Sequence, residues 1–258
     1  MRTPEMLIVP DERELARAGA EVFVRCARDA VHERGRFSVM LSGGSTPKKL
    51  FQRLASSEMI DQVPWKHTHV FWGDERLVPP DHPESNFLMA SEALLRFVPI
   101  PGDQIHRVRT ELARTEGTDA AAPVADDYER LLRDFGSRID LILLGMGEDG
   151  HTASLFPDIS IPGNGRLVIA PWVSKLQAYR VSISPEVLSS ARQIVFLISG
   201  EKKAPTLKKV IEDPVDPIRY PIQRVKPRDG KVLWIVDEQA ASLLSADLLA
   251  SGKKRLSA

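Results

Sequence analysis

The chain lacks several features that would fix its class at once. It has one cysteine, Cys26, so no disulfide can form within it and nothing points to an oxidising compartment. It has no excess of charge: 35 Lys and Arg stand against 35 Asp and Glu, a formal net charge of zero. That balance argues against bulk attraction to nucleic acid or to an anionic membrane, while leaving room for a local basic pocket. Near its start, "MRTPEMLIVPDER" holds an apolar run of only Met6 to Val9, too short for a signal peptide or a membrane span. Internal repeats, low-complexity segments and an interdomain linker are missing as well. These absences lead us to expect a cytoplasmic, single-domain protein over residues 1–258, a monomer, with no nucleic-acid or membrane partner.

What is present fits a large folded unit. The chain has 258 residues, of which 43% are hydrophobic, normal for a globular protein with ample material for a core. Short apolar runs alternate with longer amphipathic stretches. "MLIV" precedes a stretch in which Leu15, Ala18, Val22, Cys26 and Ala30 recur at helical spacing. Asp11 with Glu14 resembles a capping box. The runs "FSVML", "THVFW", "IDLILL", "RLVIA", "RQIVFLIS" and "KVLWIV" show little polar alternation. Strands buried on both faces look like this, which predicts an α/β fold with a mainly parallel sheet covered by helices on both faces. Helical patterns occur in "PKKLFQRLAS", "PESNFLMASEALLRF", "ADDYERLLRDF" and "DEQAASLLSADLLA", the last with Asp237 as N-cap. The loops "DISIPGNG" and "IEDPVDPIRYPIQRVKPRDG" are long and proline-rich, and residues 105–125 carry no informative motif. In such folds ligands gather at the carboxyl ends of the strands, so the residues just after each strand matter most.

Four such loops stand out. After "FSVML" come Ser42, Gly43, Gly44, Ser45 and Thr46, leading to Pro47. Thr46 is expected to cap a helix that Pro47 begins. Paired glycines, hydroxyls and a helix start suit a phosphate, but the Walker A spacing is absent, and an ordinary strand-to-helix turn reads the same way. After "THVFW" come Asp74, Glu75 and Arg76. They form either a solvated turn, or an anion-facing Arg76 with Asp74 as acid, base or hydroxyl acceptor. After "RQIVFLIS", Gly200 and Lys203 offer a cation at a loop or helix start, and upstream Arg180 sits inside the probable strand "AYRVSIS", lining a pocket or an edge.

The fourth loop, "LLGMGEDGHTASLFP", spells G-x-G-x-x-G through Gly145, Gly147 and Gly150. A dinucleotide site needs an amphipathic helix straight after the glycines and an acidic residue about 20 positions on. Here Pro157 and Pro162 interrupt the stretch downstream, and no acid stands at the end of "RLVIA". The glycines instead let the chain turn sharply and bring His151 to the sheet edge, where a histidine can exchange protons near neutral pH. Asp149 is placed to orient it. A metal held by Asp149, His151, Asp74 and His82 is conceivable, but no H-E-x-x-H or Cys/His set appears. No G-x-S-x-G nucleophile elbow appears either.

With these loops in hand, the chain closely resembles the 6-phosphogluconolactonase family of the sugar-phosphate isomerase/deaminase-like superfamily. The pieces "LSGGSTP", "WGDERLVPPDHPESNF", "LLGMGEDGHTASLFP", "RVSISPEVLSSARQIVFLISGEKKA" and "PIQRVKPRDGKVLWIVDEQAA" fall in family order from about residue 40 to the C-terminus. The resemblance implies a modified doubly wound α/β fold, no metal or organic cofactor, and hydrolysis of a small sugar-phosphate lactone, 6-phosphoglucono-δ-lactone, in the oxidative pentose phosphate pathway. It implies that His151 is the base and that Ser42 to Thr46, Arg76, Arg180 and Lys203 bind phosphate and sugar. A related activity, glucosamine-6-phosphate deamination, goes with a loop reading D-G-H-I-A-F-N-E-P and with D-E-Y. This chain has Phe156 before Pro157 and Arg76 after Glu75, which favours the lactonase. A non-catalytic sugar-phosphate sensor on the same scaffold would not need His151, and no DNA-binding motif accompanies the domain.

Overall fold

A computed structural model describes residues 4–114, 120–136, 138–157, 159–161 and 165–252. Pro162 and part of the "DISIPGNG" loop lie outside them, as does the middle of the 105–125 segment. In chain order the elements are β1 (Glu5–Val9), α1 (Glu12–Arg34), β2 (Phe37–Leu41), α2 (Ser45–Leu54), β3 (Thr68–Trp72), β4 (Asp74–Arg76), α3 (Asn86–Ala90), α4 (Ala122–Phe135) and β5 (Leu141–Leu144). Then come β6 (Val168–Ile169), β7 (Trp172–Val173), β8 (Ala178–Ile183), α5 (Pro185–Ser190), β9 (Gln193–Ile198), α6 (Ala204–Glu212), β10 (Lys231–Asp237), α7 (Glu238–Ala241) and α8 (Ala246–Gly252).

The main sheet has six strands in the order β1-β10-β9-β5-β2-β3, every pair parallel. All residues of β2 and β5 are buried, so both faces are covered, as expected of the doubly wound class. From β2 the chain steps outward to β3, then returns to β5 on the other side of β2. The loops after β2 and β5 therefore diverge at a topological switch point, where α/β sheets open a crevice for ligands. A second, antiparallel sheet, β4-β8-β6 with β7 paired to β8, stands beside it.

Local chemistry explains where elements begin and stop. The Asp11 carboxylate accepts from the Glu14 N–H at 2.8 Å, capping α1, and Gly35 ends it at φ 73°, a left-handed conformation open to glycine at little cost. Asp237 caps α7 by accepting from the Ala240 N–H at 2.8 Å. The Tyr128 hydroxyl ties α4 to β3, accepting from the Trp72 N–H at 2.8 Å and donating to the Trp72 carbonyl at 2.9 Å. Cys26 is unpaired, and burial pushes its thiol up to about 11.

Three sequence expectations are corrected. "RLVIA" contributes only Val168–Ile169, and these belong to the antiparallel sheet, pairing with β8; an apolar run buried on both sides does not say which sheet it joins. Thr46 is not the cap of α2: the helix starts at Ser45 with Gly44 as cap and no side-chain hydrogen bond. The C-terminal pattern is two short helices, α7 and α8, not one. Among the described residues no helix is long and apolar enough to cross a membrane.

Candidate active site

The loop after β5 is wound tightly around its histidine. The Gly147 N–H donates to the His151 carbonyl at 2.8 Å and the Gly150 N–H to the Gly147 carbonyl at 3.0 Å. A Cβ at Gly147 would fall 2.0 Å from His151 Nδ1, so only glycine lets the imidazole fold back over its own loop. Among the described residues no helix follows the loop directly; Thr152 and Leu155 bridge across a turn in which Ala153 has φ 47°. The glycine pattern thus lacks the helix that a pyrophosphate site uses. Neighbours pin the loop from outside: Thr206 of α6 donates its hydroxyl to the Glu148 carbonyl at 2.5 Å, and the Ile222 N–H donates to the Gly150 carbonyl at 3.1 Å.

His151 Nδ1 lies 2.5 Å from Asp149 Oδ1, so the pair expected from sequence is in contact. Burial works to raise the Asp149 pKa, but hydrogen bonds from His151 and from Lys175 outweigh it and hold the carboxyl well below the usual carboxylate range. An ionised Asp149 accepts at Nδ1–H and leaves Nε2 as the imidazole's lone-pair nitrogen. Phe156 covers the ring, centroid to centroid 4.2 Å. A cleft of about 720 Å³ opens alongside, bounded by Asp149, Phe156, Trp172 and Lys175 among others.

Asp74 reaches the same loop from β4: its Oδ2 accepts from the Ser154 hydroxyl at 2.7 Å. Ser154 in turn donates its backbone N–H to Ser182 Oγ on β8 at 3.1 Å. The middle residue of the charged triplet, Glu75, is buried and structural. It accepts from the N–H groups of Arg76 (2.8 Å), Asn86 (2.7 Å) and Phe87 (2.8 Å), fixing the start of α3, while burial raises its pKa against those bonds. Asn86 then links two loops. Its Nδ2 donates to the Asp74 carbonyl at 2.9 Å, and its Oδ1 occupies the space where a Gly43 side chain would begin, 1.9 Å from that ideal Cβ.

Arg76 and Arg180 are register partners across β4 and β8, so their side chains share one face. Arg76 Nη1 donates to the Glu84 carbonyl at 2.7 Å and Arg180 Nη1 to the Tyr179 carbonyl at 3.1 Å. Among the described residues neither makes an ion pair with a carboxylate. Burial and then the nearby Arg76 charge lower the Arg180 pKa. Asp74, Glu84 and Glu75 lie near enough to oppose that shift, but two adjacent guanidinium groups not directly paired with a carboxylate still form a place for an anion. Ser42 Oγ, at the head of the β2 loop, is buried with no hydrogen-bond partner among the described residues; a buried hydroxyl of that kind asks for a ligand or a water. Ser45 and Thr46 lie at the exposed start of α2.

Lys203 ends a short 3-10 turn, Glu201–Lys203, after β9. Its hinge, Gly200, donates N–H to the Asp237 carboxylate. The structure therefore joins Asp149 to His151, Asp74 to the His151 loop, Gly43 to Asp74 through Asn86, and Arg76 to Arg180; among the described residues no hydrogen bond or ion pair joins the Lys203 side chain to them. Asp74 and His82 do not join Asp149 and His151, and no group of three or more His, Cys, Asp or Glu that could hold a metal occurs among the described residues. The sequence reading missed Lys175, whose stretch "PWVSKLQAYR" carries no recognisable pattern, and Asn86, which sits inside a matched motif but reads as an ordinary helix start.

A family model described as glucosamine-6-phosphate isomerases/6-phosphogluconolactonase matches residues 10–234. A 6-phosphogluconolactonase of Nostoc sp. is 36% identical over 246 residues, covering 92% of this chain and 97% of its own length. One from Synechocystis sp. is 39% identical over 223 residues, covering 83% and 88%. The solved structure of 6-phosphogluconolactonase from Trypanosoma brucei superposes with a TM-score of 0.82 at 26% identity, over 94% of this chain and 99% of that one. This chain belongs to the glucosamine-6-phosphate isomerase/6-phosphogluconolactonase family.

Proposed function

We propose that this protein hydrolyses 6-phospho-D-glucono-1,5-lactone to 6-phosphogluconate, with His151 as the base. The observation that carries the reading is the His151–Asp149 pair, reached through Asp74 and Ser154 by the strand pair that bears Arg76 and Arg180. A lactone is an activated ester, so the protein need only deliver a water and help the ring oxygen leave. His151 Nε2 takes a proton from water as its oxygen attacks C1. The tetrahedral intermediate then collapses, the C1–ring-oxygen bond breaks, and the imidazolium returns its proton to the leaving oxygen. The new carboxylic acid loses its own proton to solvent. A positioned base contributes roughly 10²–10⁴-fold.

The phosphate, remote from C1, is held by Arg76, Arg180, Lys203 and the Ser42–Thr46 loop. Holding that end fixes C1 against the water and turns binding energy into orientation. The reading carries with it a single-domain monomer working in the cytoplasm on a small molecule, without a metal or organic cofactor and without nucleic-acid or membrane partners. The test is acid release from freshly made lactone, with spontaneous hydrolysis subtracted, beside ammonia release from glucosamine 6-phosphate. Acid release above background without ammonia supports the reading. Ammonia release, or binding of the phosphosugar with neither product, assigns the site to a deaminase or to a sensor.

A further inference from the structure

The groups that hold Lys175 are the groups that hold His151. Lys175 Nζ forms an ion pair with Asp149 Oδ2, the oxygen not used by the imidazole. The same ammonium lies 4.7 Å from the centroid of Phe156, the ring that covers His151. Lys175 thus touches both supports of the imidazole. It comes from outside the parallel sheet, from the turn Ser174–Leu176 between β7 and β8, where Gln177 takes φ 47° to bring the chain back.

We propose that Lys175 is a positioning residue for the hydrolytic base: by engaging Asp149 Oδ2 and the face of Phe156 it fixes the carboxylate that orients His151. The inference rests on the assignment of His151 as base. A carboxylate with one oxygen free rotates about its Cβ–Cγ bond, whereas one held at both oxygens presents a single acceptor to Nδ1–H. The ammonium also neutralises the Asp149 charge beside the imidazole, which Lys175→Met would release. Among the other elements that pack on the loop, β4 brings a charge, Asp74, whose Oδ2 accepts from the Ser154 hydroxyl at 2.7 Å. Helix α6 reaches it through the Thr206 hydroxyl, the 221–224 turn through the Ile222 amide, and Tyr220 lies under Gly150.

Lys175→Met keeps the aliphatic stem and removes the charge; Lys175→Arg keeps the charge. Two readouts separate this inference from the lactonase assignment. The first needs no substrate: the ring carbon signals of His151, identified by their loss in His151→Ala, are followed against pH by NMR. In Lys175→Met the His151 titration moves to higher pH, and Lys175→Arg restores it. The second is kinetic: kcat for the lactone falls on the order of tenfold, part of what a positioned base contributes, with KM little changed and the acid limb of the kcat/KM profile displaced the same way. An unmoved His151 titration in Lys175→Met overturns the inference even if the lactonase is active. A moved titration in a protein that releases no acid from the lactone upholds the coupling and overturns the assignment on which its catalytic meaning rests.

Discussion

Arg76 and Arg180 stand opposite one another in the antiparallel pairing of β4 and β8, two like charges on one face, neither ion-paired with a carboxylate among the described residues. Such a pair weakens the free protein slightly and is relieved by an anion. Charge-assisted contacts to phosphate are worth about 1.5–3 kcal/mol each. Arg76→Ala and Arg180→Ala are therefore each expected to lower kcat/KM by roughly tenfold or more. Inorganic phosphate is expected to raise the melting temperature of the parent and to do so less in either variant. Equal stabilisation of all three proteins by phosphate would place the anion elsewhere.

The pair at the other end of the site makes a different prediction. His151→Ala is expected to remove most of the rate above the spontaneous background while leaving 6-phosphogluconate binding nearly intact. Asp149→Asn should lower kcat less, because its role is to orient. A neutral imidazole is required, so kcat/KM should fall on the acid side. Gly147→Ala should behave like a damaged base, since its methyl group would occupy the space of His151 Nδ1. Near-wild-type turnover in His151→Ala would move the base to Asp74.

Chelation tests the absence of metal chemistry in this reading. Activity is expected to survive prolonged EDTA treatment and dialysis. Loss of turnover that a divalent ion restores would make Asp149 and His151 ligands.

A second histidine pair bears on stability. His69 Nδ1 and His106 Nε2 lie 3.1 Å apart, with the rings stacked among Phe71 and Phe135. Burial lowers both pKa values; Arg36 lowers His69 further and His69 lowers His106, while Asp103 opposes in both. With folded values below the unfolded value of about 6.5, the unfolded chain binds the extra protons as pH falls. Stability is thus complete above about pH 6.5 and declines as pH drops through the folded values. The fall in melting temperature between neutral and mildly acidic pH should be shallower in His106→Phe. An identical slope would show that other groups govern acid sensitivity.

The parallel sheet was legible in the sequence because strands such as "FSVML" and "IDLILL" are buried on both faces and read as unbroken apolar runs. Short pieces of antiparallel strand were not, because two residues such as Val168 and Ile169 carry no period. In the site, Asp149 and His151 could be read because they are near neighbours in one loop. The facing of Arg76 and Arg180 could not, since register between distant strands is set by pairing. Lys175 was invisible for the same reason, its partner lying 26 residues away. Thr46 misled because a capping residue type does not say whether the helix has already begun.

The hairpin of β7 and β8 carries Lys175 beside the base at its turn and Arg180 beside the anion site along its second strand. Under the proposed function it is in effect a ruler, with one mark at the reacting carbon and one at the phosphate. Each extended residue advances the chain by about 3.3 Å, and a slip of one residue against β4 would send Arg180 to the opposite face. Lengthening or shortening this hairpin would recalibrate the ruler to a longer or shorter phosphorylated lactone. Because the hairpin belongs to the smaller sheet, that change would leave the parallel strands where they are.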